Sequence, residues 1–256
     1  MTQAPDGFYG FWRTRQTRQT RLDDLATVVT QRNGQLSAVE GRGVTVSHHQ
    51  QDRRGIVSYA IVGFGSVGQA LAHAFARSGI DVTVASRRRP EALAPQARAI
   101  GPTVVATSLQ DAVAADTIIL AVPFGQHGEV AKALPSWEGK TIIDATNAFG
   151  VPPEALDGLP SSAVVAKAFT GAKLVKGFNH LIAATLAADP IVEGSHRVVF
   201  LASDDEDATT SVAALAERLG FAPVKLGKLN EGGALVHARG RTWGQLIFQD
   251  LFKKEQ

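Results

Sequence analysis

Residues 57–90 read VSYAIVGFGSVGQALAHAFARSGIDVTVASRRRP, and no other stretch restricts the fold as much. A mostly apolar run from Val57 to Val62 ends in Gly63-Phe64-Gly65-Ser66-Val67-Gly68. An Ala- and Leu-rich segment then stops at Gly79, and a second apolar run covers 80–85. Strand, glycines, helix and strand in that order form a βαβ unit. A G-x-G-x-x-G between the first strand and its helix acquires a mechanism that the bare pattern lacks. Gly63 permits a tight turn, Gly65 lets the backbone approach a pyrophosphate, and Gly68 allows the helix to pack close to the strand. The helix starting near Ser66 aims its unpaired N–H groups and positive dipole end at that phosphate, so 63–68 is read as a dinucleotide cradle.

The second strand runs into Ser86 and three arginines, Arg87, Arg88 and Arg89. In a dinucleotide-binding βαβ unit this position, about 20 residues past the glycines, faces the adenosine ribose, where an Asp or Glu selects NAD. The first acid here is Glu91. A hydroxyl and a guanidinium suit a 2′-phosphate, which arginine pairs through charge-assisted hydrogen bonds. The absence of the acid also removes repulsion against that phosphate. The expectation is NADP(H), held by Ser86 and Arg87 first and Arg88 second, with Arg89 in solvent.

The alternation continues with apolar runs at 103–107, 117–123 and 141–146 and helical segments near 90, 108–115 and 126–134. Continuous Val/Ile/Leu runs are strands buried on both faces, and their alternation with helices implies a parallel, doubly wound α/β sheet of Rossmann type. C-terminal αβ elements extend it: helix 161–169, strand 173–178, helix 180–187, strand 197–202, helix 206–219 and strand 222–226. No long linker interrupts the series. The reading is therefore one domain over 56–256, with a dinucleotide-binding half at 57–150 and a C-terminal part at 151–256.

Residues 1–55 differ in texture. They are polar, rich in Gln, Arg and Thr, and carry an imperfect repeat in RTRQTRQTR, so they are expected to be a disordered leader with at most a short helix over 22–31. Eight arginines and five acids give them a charge of +3, which leaves −1 for the other 201 residues of this 256-residue chain. A nucleic-acid-binding body is thus not expected. Cysteine is absent, which removes disulfides and thiolate chemistry and makes a reducing, cytoplasmic compartment the default. No apolar run of about 18 residues is present, so no membrane partner is expected.

Ligands of open α/β sheets sit beyond the carboxyl ends of the strands. That rule adds Ala121, Val122 and Pro123, with Phe124 beside them, and Asn147, which either hydrogen-bonds the nicotinamide end or substrate or caps the next segment. The histidines show no metal-ligand spacing, and no metal site is expected. An apolar stripe at Trp243, Leu246, Ile247 and Leu251 packs on its own sheet or against a second subunit, which leaves a homodimer open.

YAIVGFGSVGQALA, VTVASRR, DTIILAVPF, TIIDATN and VKGFNH occur in the order and spacing of NADPH-dependent reductases of the deazaflavin coenzyme F-420, and the chain resembles that family over about 57–252. The module is also similar to the cytosolic domain of membrane metalloreductases and, more distantly, to the N-terminal domain of pyrroline-5-carboxylate reductase. The resemblance implies hydride exchange between NADPH and a small-molecule acceptor, coenzyme F-420 or a flavin. It implies Ser86 and Arg87 on the 2′-phosphate, Phe64 to Val67 on the pyrophosphate, Val122 and Pro123 near the cofactor, and Gly177 beside the nicotinamide. The family usually shows Ala and Thr where this chain has Gly177 and His180. Hydride transfer between planar rings needs orientation more than an acid. Asn179 and His180 are candidates for ring orientation or proton management, against a plain surface histidine at a helix N-terminus. The alternative to a reductase is an NADP-binding redox sensor that does not turn over.

Overall fold

The computed structural model describes residues 57–236. The leader with its short helix, His48, His49, His237 and the C-terminal stripe lie outside the described residues. Among the described residues, ten strands and seven α-helices follow in chain order: β1 Tyr59–Val62, α1 Ser66–Arg77, β2 Val82–Ala85, α2 Pro90–Ile100, β3 Val104–Ala106, α3 Leu109–Ala112, β4 Thr117–Leu120, α4 His127–Ala131 and β5 Thr141–Asp144. Then come α5 Ser161–Ala168, β6 Lys173–Gly177, α6 Ala183–Ala187, β7 Ile191–Val192, β8 Ser195–His196, β9 Val198–Ser203, α7 Glu206–Arg218 and β10 Ala222–Lys225.

Eight of these strands form one sheet in the order β10-β9-β6-β5-β4-β1-β2-β3, and β7 and β8 make a separate small hairpin. The pairs from β3 to β6 are parallel, as is β9 with β10, whereas β6 and β9 run antiparallel. The anticipated doubly wound, mostly parallel sheet with C-terminal additions is what forms. The antiparallel seam has a length argument behind it. The expected helix over 180–187 shrinks to the five residues of α6, which rise only about 7.5 Å. That is short of the roughly 16 Å spanned by β6, so the chain re-enters the sheet from the end it left.

Both faces of the sheet are covered. On one, Leu71 and Phe75 of α1, Leu93 of α2, Leu186 of α6 and Val212 and Leu215 of α7 pack over Ile61, Ile119, Ile143 and Val175. On the other, Ala112 of α3, Val130 of α4 and Val165 of α5 join Trp137 and Phe169 over Ile118, Leu120, Ile142 and Leu174. The alternation of Ile118/Ile119 and Ile142/Ile143 between two layers is the period of two that a strand buried on both sides requires. β4 and β5 end at Leu120 and Asp144, earlier than the apolar runs suggest. The residues beyond are thereby released into loops at the carboxyl edge of the sheet.

Candidate dinucleotide site

Because β1, β2, β4, β5 and β6 are parallel, their carboxyl ends open along one edge. Gly63 leaves β1 with φ +105°, and a Cβ there would lie 2.3 Å from the carbonyl oxygen of Ala121, so both the backbone conformation and the neighbouring strand demand glycine. A Cβ on Gly68 would meet the carbonyl oxygen of Gly63 at 1.8 Å, which is the close helix-to-strand packing expected of it. Gly65 is different in kind: its φ is −85° and nothing lies within 4 Å of its would-be Cβ. The fold does not need glycine at that position.

Gly65 is the N-cap of α1, brings no side-chain hydrogen bond, and no acid stands in the first turn. The N–H groups of Ser66, Val67 and Gly68 therefore have no side-chain cap and are ready for an anion. Phe64 is 3% exposed and belongs to the core, so it borders the loop through its backbone. Its carbonyl accepts from Gln69 Nε2 at 3.1 Å, and Gln69 Oε1 accepts in turn from Gln96 Nε2 of α2 at 2.7 Å.

The N–H of Gly63 donates to the carbonyl of Ala85 at 2.8 Å, which places the end of β2 beside the glycine loop. Ser86 Oγ accepts the N–H of Arg88 at 3.0 Å and fixes the turn. Arg87, Arg88 and Arg89 are exposed, and among the described residues none has an ion-pair partner. Arg89 is also the N-cap of α2, with Pro90 in the first turn. Beyond β4, Ala121 and Val122 are half-buried and Pro123 exposed, while the Phe124 ring tilts against His127 with centroids 4.9 Å apart.

The ends of β5 and β6 hold groups that the sequence reading passed over. Asp144 and Lys176 sit opposite each other in register and are both fully buried, with Nζ to Oδ2 at 3.1 Å. Asp144 Oδ1 accepts from the N–H and hydroxyl of Thr146 at 2.9 and 2.6 Å, and Oδ2 accepts from Ser162 Oγ of α5 at 3.0 Å. Lys176 Nζ also donates to the carbonyl of Thr146. Burial pushes the Asp144 carboxyl up, but Lys176 and the Thr146 hydrogen bonds outweigh it and hold the group below the usual carboxylate range. Burial draws the Lys176 ammonium below its ordinary value against the pull of Asp144. The signal available in the sequence was a charged residue within a run otherwise buried on both faces, Asp144 at the end of TIID and Lys176, the second lysine of KLVKG.

Asn147 and Asn179 clasp each other. Asn147 Nδ2 donates to the Asn179 carbonyl at 2.7 Å, and Asn179 Nδ2 donates to Asn147 Oδ1 at 3.0 Å and to the Val236 carbonyl at 2.8 Å. The Asn147 side chain is thus spent on the protein rather than turned to a ligand or a helix start. Gly177 is buried, and a Cβ there would stand 2.8 Å from Leu201 Cδ2, so its small size serves the packing of β6 on β9.

His180 is neither on the surface nor at a helix N-terminus, since α6 begins at Ala183. It lies almost buried, with Nε2 3.2 Å from the Val198 carbonyl and its ring 5.0 Å from that of Phe200. Burial lowers its pKa to about 4, so the imidazole is neutral near pH 7. Among the described residues no cluster of His, Asp or Glu could hold a metal ion, and no helix is long and apolar enough to cross a membrane.

Such an edge, with its glycine loop after β1 and its arginine run after β2, is that of a doubly wound α/β fold of Rossmann type. Residues 58–148 match the family model described as "NADP oxidoreductase coenzyme F420-dependent". The crystal structure of a hypothetical protein, SMa0349, from Sinorhizobium meliloti is 39% identical, with a TM-score of 0.69 over 73% of this chain and 92% of that one. A protein from Arthrobacter sp. FB24, provisionally described as an F-420-dependent NADP-reductase, is 26% identical, with a TM-score of 0.57 over 67% of this chain and 85% of its own. The metalloreductase STEAP3 of Rattus norvegicus is 28% identical over 173 residues, 66% of this chain, and the chain spans about a third (33%) of the length of that curated relative. The chain belongs to this family of NADP oxidoreductases.

Proposed function

We propose that the chain binds NADPH along the carboxyl edge of β2, β1, β4 and β5 and passes its hydride to a deazaflavin or flavin-like acceptor. The observation that carries this reading is the end of β2, where Ser86 and three arginines without ion-pair partners among the described residues adjoin the glycine cradle, and no acid takes the ribose position. Arg87 and Arg88 pair the 2′-phosphate, with Ser86 as a neutral hydrogen-bonding partner. The N–H groups at the start of α1 take the pyrophosphate over Gly65, and Val122 and Pro123 wall the path to the nicotinamide. When bound, NADPH supplies a hydride, and one proton from solvent completes the two-electron reduction of the acceptor ring. The protein's part is to orient and to exclude water; His180, neutral and packed on Phe200, is not placed as an acid.

The test is a titration with NADPH and NADH followed by nicotinamide fluorescence, then addition of coenzyme F-420 or FMN while absorbance at 340 nm is watched. Preference for NADPH with oxidation by one of these acceptors is expected. Tight NADPH binding without oxidation by either would replace the reductase with a redox sensor.

A further inference from the structure

The loop that follows β1 is held unevenly. Gly63 is tied to β2 through its N–H bond to the Ala85 carbonyl, and the N–H of Gln69 closes the first turn of α1 on the Gly65 carbonyl at 2.9 Å. Between these two ties, no backbone N–H among the described residues reaches the Phe64 carbonyl, and the side-chain amide of Gln69 is its donor. Neither flanking glycine has a side chain to steady this peptide. A glutamine amide presents its N–H groups to one partner and its oxygen to another. Gln96 Nε2 of α2 donates to the Gln69 oxygen at 2.7 Å from 27 residues along the chain, and so fixes which way the Gln69 amide faces.

Gln96 sits at a weak point of α2. Pro95, inside the helix, has no N–H to give to the Glu91 carbonyl four residues back, so the first turn is poorly tied to the rest. That first turn is continuous with the arginines: Arg89 is its N-cap and its carbonyl accepts the Ala92 N–H at 3.0 Å, while Ser86 Oγ accepts the Arg88 N–H. The two glutamines thus join the turn that carries Arg87 and Arg88 to the least supported peptide of the glycine loop.

We propose that Gln69 and Gln96 are positioning residues that couple the arginine turn to the glycine loop, so that a 2′-phosphate held at the turn also sets the loop for the pyrophosphate. They act through the Phe64 carbonyl. A ligand without the 2′-phosphate leaves the turn unheld and gains nothing from the relay. This proposal rests on the NADPH reading above.

The test is a double-mutant cycle on the full chain, read as NADPH and NADH affinities by nicotinamide fluorescence. Gln96→Met keeps the length and helix preference of the side chain and removes its donor. It is expected to weaken NADPH about three- to tenfold, the effect of one neutral hydrogen bond, and to change NADH less than about twofold. Arg87→Ala should then lower NADPH affinity by a factor about three- to tenfold smaller in the Gln96→Met protein than in the native one. Because the amides act in series, Gln69→Met combined with Gln96→Met should weaken NADPH no further than Gln69→Met alone. Should Gln69→Met not fold, Gln96→Met and Arg87→Ala complete the cycle by themselves. Additive losses in the two glutamine variants overturn the proposal. So do an NADPH-to-NADH ratio and an Arg87→Ala effect that Gln96→Met leaves unchanged, the result that glutamines serving only to stabilise the fold would give. A native protein with no preference for NADPH would instead overturn the NADPH reading.

Discussion

One methyl group placed at two glycines five residues or less from the start of α1 should have opposite consequences. At Gly68 the new Cβ would lie 1.8 Å from the Gly63 carbonyl oxygen, against a closest tolerated approach of 3.0 Å, so α1 or the loop must retreat by about 1.2 Å. The helix cannot retreat freely, because Leu71 and Phe75 are fully buried against the sheet. Overpacking of this kind costs roughly 1–3 kcal/mol. At 2–4 °C per kcal/mol for a domain of this size, the loss in Tm is roughly 4–12 °C for the upper half of that range. At Gly65 the methyl enters open space, and the poorer N-cap costs only about 0.5 kcal/mol, or roughly 1–2 °C. The added group nevertheless stands where the pyrophosphate must approach the backbone, and NADPH affinity should fall at least about tenfold, equivalent to a lost charge-assisted hydrogen bond. Thermal melts paired with NADPH fluorescence titrations read both quantities. Gly65→Ala binding NADPH as the native protein does would refute the cradle, and Gly68→Ala melting with the native protein would refute the packing argument.

Two further outcomes are expected. Ser86→Asp with Arg87→Ala should weaken NADPH by roughly 10- to 100-fold, the worth of pairing the 2′-phosphate, and improve NADH; an unchanged preference for NADPH would remove the phosphate from β2. His180 titrates at about 4 in the fold against 6.5 in the unfolded chain, so the unfolded state binds more protons between those values. Its burial therefore costs nothing above pH 6.5 and progressively more as pH falls toward 4, reaching on the order of 3 kcal/mol at the acid end. His180→Gln should flatten the fall in Tm between pH 6.5 and 4.5, and an acid limb as steep as that of the native protein would assign the loss to other groups.

The cofactor edge was legible because its signals are local. An apolar strand, glycines at fixed spacing, a helix and a run of arginines all fall within 34 residues, and each acts through its immediate neighbours. Gly63 and Gly68 behave as their places in the motif require, and the continuous apolar runs of β4 and β5 were already the signature of a sheet covered on both faces. The motif does not say which way the Phe64 ring turns. Its burial depends on β1 and α1 packing together.

The other half of the site is not local at all. Asp144 meets Lys176, and Asn147 meets Asn179, across 32 residues in each case. They meet only because β5 and β6 pair in parallel with Asp144 opposite Lys176. His180 became a buried neutral ring because the short α6 sends β9 back antiparallel, which sets Val198 and Phe200 against it. The sequence by itself determined the sheet class, the glycine loop and the arginine run that follows β2, since those follow from residues adjacent along the chain. Strand register and the reversal at β9 decided which polar groups are buried, paired or turned outward, because these depend on contacts between segments that the chain order leaves far apart.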